Sequence, residues 1–449
     1  MNENSAENRG LSVVRLAWPM FVQQLLSMFL GYVDTIMVSH YSDNAVGALG
    51  NANQIIGFLL LAFCVISSAS GVIISQYLGA GKSSSEMNQI YSLSVAFNVF
   101  ISLFISLILT FFSRQLLAVI KVPDVMIDDA VSYMKIVSLF LFANAAVGIF
   151  SQIFNCNGRT FFGMIVMFVM NILNIAGNYM FLYGPLKSLN MGIAGVAAST
   201  SASHVIGLIL CLIFFYKIIG GRFSLKHFIP FPKSLLFKMI KLGIPAAGES
   251  FSYTGSVTVI AVFVNMLGPD SVTAKAYCTI LAGFSTVFSN SIANAVSIIT
   301  GHAVGAGRYE YAYKKVMKCL LWAMIITIGV AGINWIISPY TLSLFTENES
   351  IIKIGSGVML VALFLEIGRV TNYVVIRSMR AAGDILFPVI LGIASMWGIS
   401  IGASWFFGIF CGFGLAGVWM GMAADEIFRA VVVFIRWQKG SWKTAGWSD

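Results

Sequence analysis

Apolar stretches of roughly 20 to 30 residues follow one another along the whole chain, separated by short clusters of Gly, Pro and charge. Each is long enough to cross a hydrocarbon layer about 30 Å thick as a helix. Open sheets are ruled out for such stretches, because backbone groups in lipid must be paired within the segment. Of 449 residues, 58% are hydrophobic and 10% charged, where a soluble domain carries about 25% charged residues. The chain therefore reads as an integral membrane protein. With Gly, Pro and charge clusters as breaks, twelve spans are expected, at roughly 11–39, 47–78, 88–112, 127–155, 161–184, 192–218, 236–267, 271–303, 313–339, 351–380, 386–408 and 414–436. The opening "MNENSAENRG" lacks a basic segment followed by a short apolar one, so no cleavable signal peptide is expected.

Comparing the chain with itself divides it in two. "LAWP" at Leu16 to Pro19 matches "LGIP" at Leu242 to Pro245, and "LGAGK" at Leu78 to Lys82 matches "VGAGR" at Val304 to Arg308, both at a displacement of 226. "NGR" at 157–159 answers "AGD" at 382–384, and "GIAGVAAS" at 192–199 answers "GLAGVWMG" at 414–421. An even number of spans per copy returns the second copy to the membrane in the same direction. The expected fold is thus all-α, twelve transmembrane helices as two parallel-repeat six-helix bundles, an arrangement that suits transporters rocking about a central cavity. The corresponding division is an N-terminal tail at 1–10, an N-lobe at 11–218, a linker at 219–235, a C-lobe at 236–437 and a C-terminal tail at 438–449.

The net charge of +9 is a topology signal. With the N-terminus inside, twenty of the 27 Lys and Arg fall on the cytoplasmic side, including the run Lys217 to Lys241, and six on the other, with Arg369 left within a span. The positive-inside rule places both termini and the linker in the cytoplasm, so no nucleic-acid partner is needed to explain the charge. The six cysteines lie among apolar residues with no CxxC spacing and read as packing residues. The four histidines are scattered, and no nucleophile, phosphate loop or zinc signature is present. Neither an enzyme nor a cofactor is expected.

The polar residues inside the spans carry the functional reading. An ionised Asp near a helix centre costs about 3 kcal/mol on insertion scales, so such residues face a cavity or a partner. Asp34, in "MFLGYVDTIMVSHYS", lies within the first span. Asn171, Asn174 and Asn178 line one face of the fifth span, and Thr200 sits in the sixth. Asp34, Asn174, Asn178 and Thr200 together offer hard oxygen donors that suit a small cation; alternatively, burial lets Asp34 exchange a proton. For the asparagines, interhelical hydrogen bonding is an equal alternative. Ile260 stands at the repeat position of Asp34, so the second half is built differently. Its acids are Glu249, without an evident local partner, and Glu366, which can pair with Arg369 one turn on, with Asn372 beyond. Asp425 and Glu426 are expected to pair with Arg429. Pro19 is either a static bend or a hinge.

The segments "GYVDTIMVSHYSDNAVGALGNANQI", "SQYLGAGK", "GIPAAGES", "GHAVGAGR", "EIGRVTNYVVIRSMRAAGDILFPVILG" and "GLAGVWMGMAADEIFRAVVVFIRWQKGSWK" resemble the multidrug and toxic compound extrusion (MATE) family of bacterial transporters, from about Leu11 to Lys443. The resemblance implies a V-shaped pair of bundles in the bacterial cytoplasmic membrane, working as a monomer among membrane lipids. It implies export of small organic cations or amphipathic drugs in exchange for H⁺ or Na⁺. It makes Asp34 the essential first-helix aspartate and sets Asn174, Asn178 and Thr200 at the N-lobe coupling site, as metal ligands if the ion is Na⁺. In the C-lobe the chain departs from the family. Tyr253 stands nearest the family's seventh-helix acid, Glu249 occupies the preceding turn, and Glu366 is the nearest candidate for the tenth-helix acid. The strongest rival is a lipid-linked or oligosaccharide flippase of the same superfamily, whose anionic cargo calls for several cavity-facing Arg or Lys; Arg369 alone is plainly within a span. A major facilitator transporter lacks support, since "LGAGKSS" stands where its basic, acid-containing loop belongs. A non-transport scaffold leaves Asp34 and Glu249 unexplained.

Overall fold

The computed structural model describes residues 11–444, apart from the side chains at 43, 61–66 and 225. The tail at 1–10, the end of the C-terminal tail at 445–449 and the Cys64 side chain lie outside the described residues. Twelve long helical segments succeed one another: α1 (Val13–Ser39), α2 (Asp43–Gly79), α3 (Ser84–Val119), α4 (Asp124–Leu139 and Leu141–Cys156), α5 (Thr160–Leu182), α6 (Gly192–Ile219), α7 (Lys233–Met266), α8 (Pro269–Gly305), α9 (Tyr309–Ser343), α10 (Glu349–Ala382), α11 (Leu386–Phe410) and α12 (Gly414–Lys439). Among the described residues every regular element is a helix. Eight are individually long and apolar enough to cross a membrane, and α4 makes a ninth when its halves, bent by 49°, count as one span. Of the other three, α7 carries Glu249 and a row of Ser and Thr, α12 carries Asp425, Glu426 and Arg429, and α2 contains the uncharged apolar stretch 55–72, part of which lies outside the described side chains.

Local chemistry sets the ends. Ser83 and Glu86 form a reciprocal capping box that starts α3, and Pro269 opens α8 in the first turn, where no donor is lost. The repeat is visible in the backbone. Gly81 (φ +67°) follows α2 as Gly307 (φ +71°) follows α8, and Gly158 (φ +74°) follows α4 as Gly383 (φ +101°) follows α10. These left-handed positions close a helix at a cost only glycine avoids. The repeated "GAGK/GAGR" and "NGR/AGD" motifs are therefore helix stops.

The chain forms two compact units. One comprises 18–243 and the other 244–444 together with 11–17, so the divisions fall inside α1 and α7, one residue before Pro19 and Pro245. In the first unit, α2, α3, α4 and α6 surround a core that includes Leu49, Leu109, Met134 and Leu182. In the second, α10 is the central helix, packed on α8, α9 and α12. One of its cores stacks Trp437 on Trp442 at 4.2 Å between ring centroids, with Val13 of α1 packed on the same cluster. Large apolar side chains such as Phe100, Phe104, Phe111 and Ile336 are exposed. Contiguous exposed apolar surface marks a lipid or partner contact, and with the helices described it identifies a multi-pass membrane protein. Cys411 lies outside the helices, exposed in the turn before α12.

Candidate functional site

The spacing of Asn174 and Asn178, one turn apart on α5, puts both side chains on the face that meets α1 and α6. Asp34, Asn174, Asn178 and Thr200 are all buried, none more than 7% exposed. Asn178 Nδ2 donates to Asp34 Oδ1 at 2.6 Å and to Asn174 Oδ1 at 3.2 Å. Asn174 Nδ2 donates to Thr200 Oγ1 at 3.0 Å, and Thr200 passes its proton to the Val196 carbonyl at 3.0 Å. All four residues named from the sequence are thus joined in one chain of hydrogen bonds that ends on the carboxylate. Asn178 Oδ1 is buried without a partner, leaving one hard oxygen unused beside Asp34. Asn171 is not part of the chain, since its amide bonds its own helix at Met167 O.

The helices come close enough for this because Gly177 carries no side chain. A Cβ there would stand 2.2 Å from Ser199 Oγ, which instead donates to the Asn174 carbonyl at 2.9 Å. Polar contacts also tie α1 to α5 at both ends, Gln23 Nε2 to Thr160 O at 2.9 Å and Tyr183 Oη to Met37 O at 2.5 Å. Tyr133 of α4, bonded to Asn53 of α2 at 3.3 Å, lies within electrostatic reach of Asp34. Sequence reasoning missed it, because nothing in the α4 pattern marks one buried Tyr among apolar neighbours.

The second copy keeps the backbone and changes the chemistry. At the displacement of 226, Ile260 replaces Asp34, and on α11 Ser404 Oγ bonds the Val418 carbonyl at 3.0 Å. Ionisable groups gather instead on α7, α10 and α12. Glu366, 1% exposed, pairs with Arg369 Nη1 at 2.5 Å. Arg429 pairs with Asp425 and Glu426, each at 2.9 Å, and Glu426 Oε2 accepts from Asn372 Nδ2 at 2.6 Å. Two oxygens, Glu366 Oε2 and Asn372 Oδ1, are buried without partners.

Glu249 does have a partner, contrary to the local reading of the sequence. It forms an ion pair with Arg380 of α10, 131 residues away, a separation that helical spacing rules cannot bridge. Tyr253, one turn beyond Glu249 on the same helix, is 54% exposed and outside the ion pairs. Arg369 is not the one arginine of these helices: Arg377 and Arg380 lie on α10 and Arg429 on α12. Residues 369, 373, 377 and 380 are half-buried on one side of α10, a spacing of four, four and three that could have marked this stripe in the sequence. Pro19 lies within α1 with the helix continuous around it.

Comparison with known proteins agrees with this double architecture. The MatE family model matches the chain twice, over 19–180 and 245–406, two starts separated by the displacement of the repeated motifs. The uncharacterized transporter YisQ of Bacillus subtilis is 37% identical over 439 residues, covering 98% of this chain and 96% of its own. A probable multidrug resistance protein NorM of Thermotoga maritima is 25% identical, with coverage of 96% and 92%. Among solved structures, a mutant of the Vibrio cholerae MATE transporter VcmN superposes with a TM-score of 0.89 at 16% identity over 98% of both chains. A MOP superfamily transporter from Pyrococcus furiosus, described as having a binding pocket of reversed polarity, gives 0.85 at 18% identity over 95% of both. With both halves matched by one family model and a relative at 37% identity over nearly the full length, this membrane protein is a transporter that belongs to the MatE family.

Proposed function

We propose that the protein is a secondary active efflux antiporter that exports cationic or amphipathic organic compounds in exchange for H⁺ or Na⁺ by alternating access. The observation that carries this reading is the buried carboxylate of Asp34, the one buried acid among the described residues of the first unit, held by an amide donor of α5 whose hydrogen-bonded chain continues to Thr200 of α6. A charge so placed is stable when partnered and costly when bare. Its neutralisation by a cation or proton, and its release, can therefore be traded against two packings of α1. Asp34, Asn174, Asn178 and Thr200 are the proposed coupling residues. Of the two ions the geometry favours the proton. The group directed at Asp34 is a donor, Asn178 Nδ2, while Asn174 Nδ2 turns to Thr200, and Asn178 Oδ1 is the one buried side-chain oxygen of the cluster left without a partner, whereas a bare metal cation takes several oxygen ligands. Glu249, Glu366 and Arg369 form the proposed ionic site of the second unit, with Tyr253 beside it.

The membrane is the bacterial cytoplasmic membrane, with both termini and the basic 217–241 segment inside. The test uses purified protein in liposomes loaded for an imposed pH or Na⁺ gradient, with ethidium efflux as the readout. Wild type is expected to respond to one gradient, and Asp34→Asn to lose the response while still folding. The arginines of α10 and α12 support a second reading, movement of an anionic lipid-linked or oligosaccharide cargo, and the reversed pocket polarity described for the Pyrococcus furiosus transporter was found on the same fold. That reading ranks below the first because Arg369, Arg380 and Arg429 are each matched by a carboxylate. Failure of either gradient to move ethidium would bring it forward.

A further inference from the structure

Five arginines lie on α10 and α12 of the second unit, and four of them meet a carboxylate: Arg369 with Glu366, Arg380 with Glu249, Arg429 with Asp425 and Glu426, and Arg436 with Asp384. Arg377 does not. Among the described residues its partners are the Asn294 side-chain oxygen, the Asn290 carbonyl at 3.2 Å and the face of Tyr373, 5.3 Å from the ring centroid. The surplus acid of the region belongs to the Asp425/Glu426 pair, and both carboxylates are engaged by Arg429, with Asn372 also on Glu426. A half-buried guanidinium with amides and a ring around it, but no counter-charge, lacks the neutralisation that its four neighbours have and can take it from a bound anion. Arg377 is only half-buried, so a ligand can reach it. Arg380 lies one turn further along α10, adding positive potential near the position.

From this we infer that Arg377, with Asn294 and Tyr373, forms a subsite for an oxyanion, the carboxylate of a zwitterionic amphiphile. The guanidinium fork receives the oxyanion, and the Tyr373 ring gives the adjoining flat part of the molecule a surface to pack on. The ligand class deepens the export reading above, because it adds an anionic contact to a cation-handling protein. Its test is a binding measurement that needs no gradient, so failure of ion-coupled export leaves it standing and its own failure leaves ion coupling untouched. A lipid phosphate is a second source of the same chemistry, and the test separates the two.

The probes are tetramethylrhodamine as the free acid, a zwitterion, and its methyl ester, a cation with the same ring system. Binding is followed by fluorescence anisotropy with the purified full-length protein in phosphatidylcholine nanodiscs. Arg377→Gln is expected to lower the free-acid affinity relative to the ester by about tenfold or more, the scale of one charge-assisted contact. Arg377→Lys keeps the charge without the fork and is expected to give a smaller loss in the same direction. It also serves as the test if the Gln variant fails to fold. If added phosphatidylglycerol raises the melting temperature of wild type but not of Arg377→Gln, and competes with the free acid, the oxyanion is the lipid phosphate. An unchanged free-acid-to-ester ratio in the variants, together with an equal phosphatidylglycerol effect in wild type and variant, overturns the subsite.

Discussion

Asn178 Nδ2 on α5 donates to Asp34 Oδ1 on α1 at 2.6 Å, across 144 residues of sequence. The same nitrogen also bonds Asn174, so one amide orients the carboxylate and holds the α5 pair in register. Hydrogen bonds to charged groups contribute about 1.5–3 kcal/mol. Asn178→Ala is therefore expected to cut gradient-driven efflux about tenfold or more, with only a modest change in folding. Thr200→Ala, two bonds further from the carboxylate, should cost less. Initial efflux rates in liposomes, set against melting temperatures, check both. Equal losses for the two variants would mean that the chain does not act through Asp34.

The Glu249–Arg380 pair joins α7 to α10, with side chains 16% and 25% exposed. Removing one partner strands the other in a low-dielectric setting, whereas removing both leaves two neutral groups. Glu249→Gln or Arg380→Gln alone is expected to lower stability by about 1–3 kcal/mol, discounted from fully buried pairs because water reaches both groups. The double variant should recover a good part of that loss. A double-mutant cycle by thermal unfolding measures the coupling, and an additive result would show that the pair contributes nothing.

Glycine contacts set how closely helices approach at each site, and the two sites differ. A Cβ at Gly368 would lie 2.6 Å from the Glu426 carbonyl carbon, in the backbone of α12. Backbone cannot turn aside, so Gly368→Ala must push α10 from α12 and disturb Glu366, Arg369 and Glu426 together, at a cost of about 1–3 kcal/mol. At Gly177 the obstacles are the Ser199 hydroxyl, which can rotate away for about the 1 kcal/mol of its bond to Asn174, and the Ser199 Cβ at 2.9 Å, which requires a small shift but no backbone atom to be displaced from under 3 Å. Gly368→Ala is expected to lower the melting temperature more than Gly177→Ala. The reverse order would mean that α5 and α6 are the more rigid contact.

Long apolar runs made the helices legible, and the 226-residue displacement made their pairing legible, because both are properties of the linear pattern. The bend of α4 at Phe140 was not legible: "VSLFLFAN" contains neither Pro nor Gly, and beside the break at Phe140 (φ −106°, ψ 12°) the Ser138 carbonyl accepts from Ser106 of α3, a contact between helices. Within a helix, spacing rules worked. They set Asn174 and Asn178 on one face and paired Glu366 with Arg369. Between helices they had nothing to act on, which is why Glu249 read as unpartnered and the Arg377–Asn294 contact was invisible. Asp34 was singled out by its cost in lipid, but its meeting with Asn178 requires the folded chain.

Pro19 and Pro245 occupy equivalent positions of the repeat, inside α1 and α7, and each follows by one residue the point where the chain passes from one compact unit to the other. A proline in a helix interior removes a backbone hydrogen bond and costs about 3 kcal/mol relative to Ala. Such a cost at both boundaries is consistent with a place where the helix must yield during the cycle. If Pro19 is a hinge, Pro19→Ala should raise the melting temperature and slow gradient-driven efflux several-fold while leaving equilibrium binding of ethidium unchanged. If Pro19 is a static bend, the variant gains stability with no loss of turnover. Making the same measurement on Pro245→Ala decides whether one half or both carry the motion, since the carboxylate of α1, Asp34, is held by amides alone, whereas Glu249 of α7 is matched by Arg380.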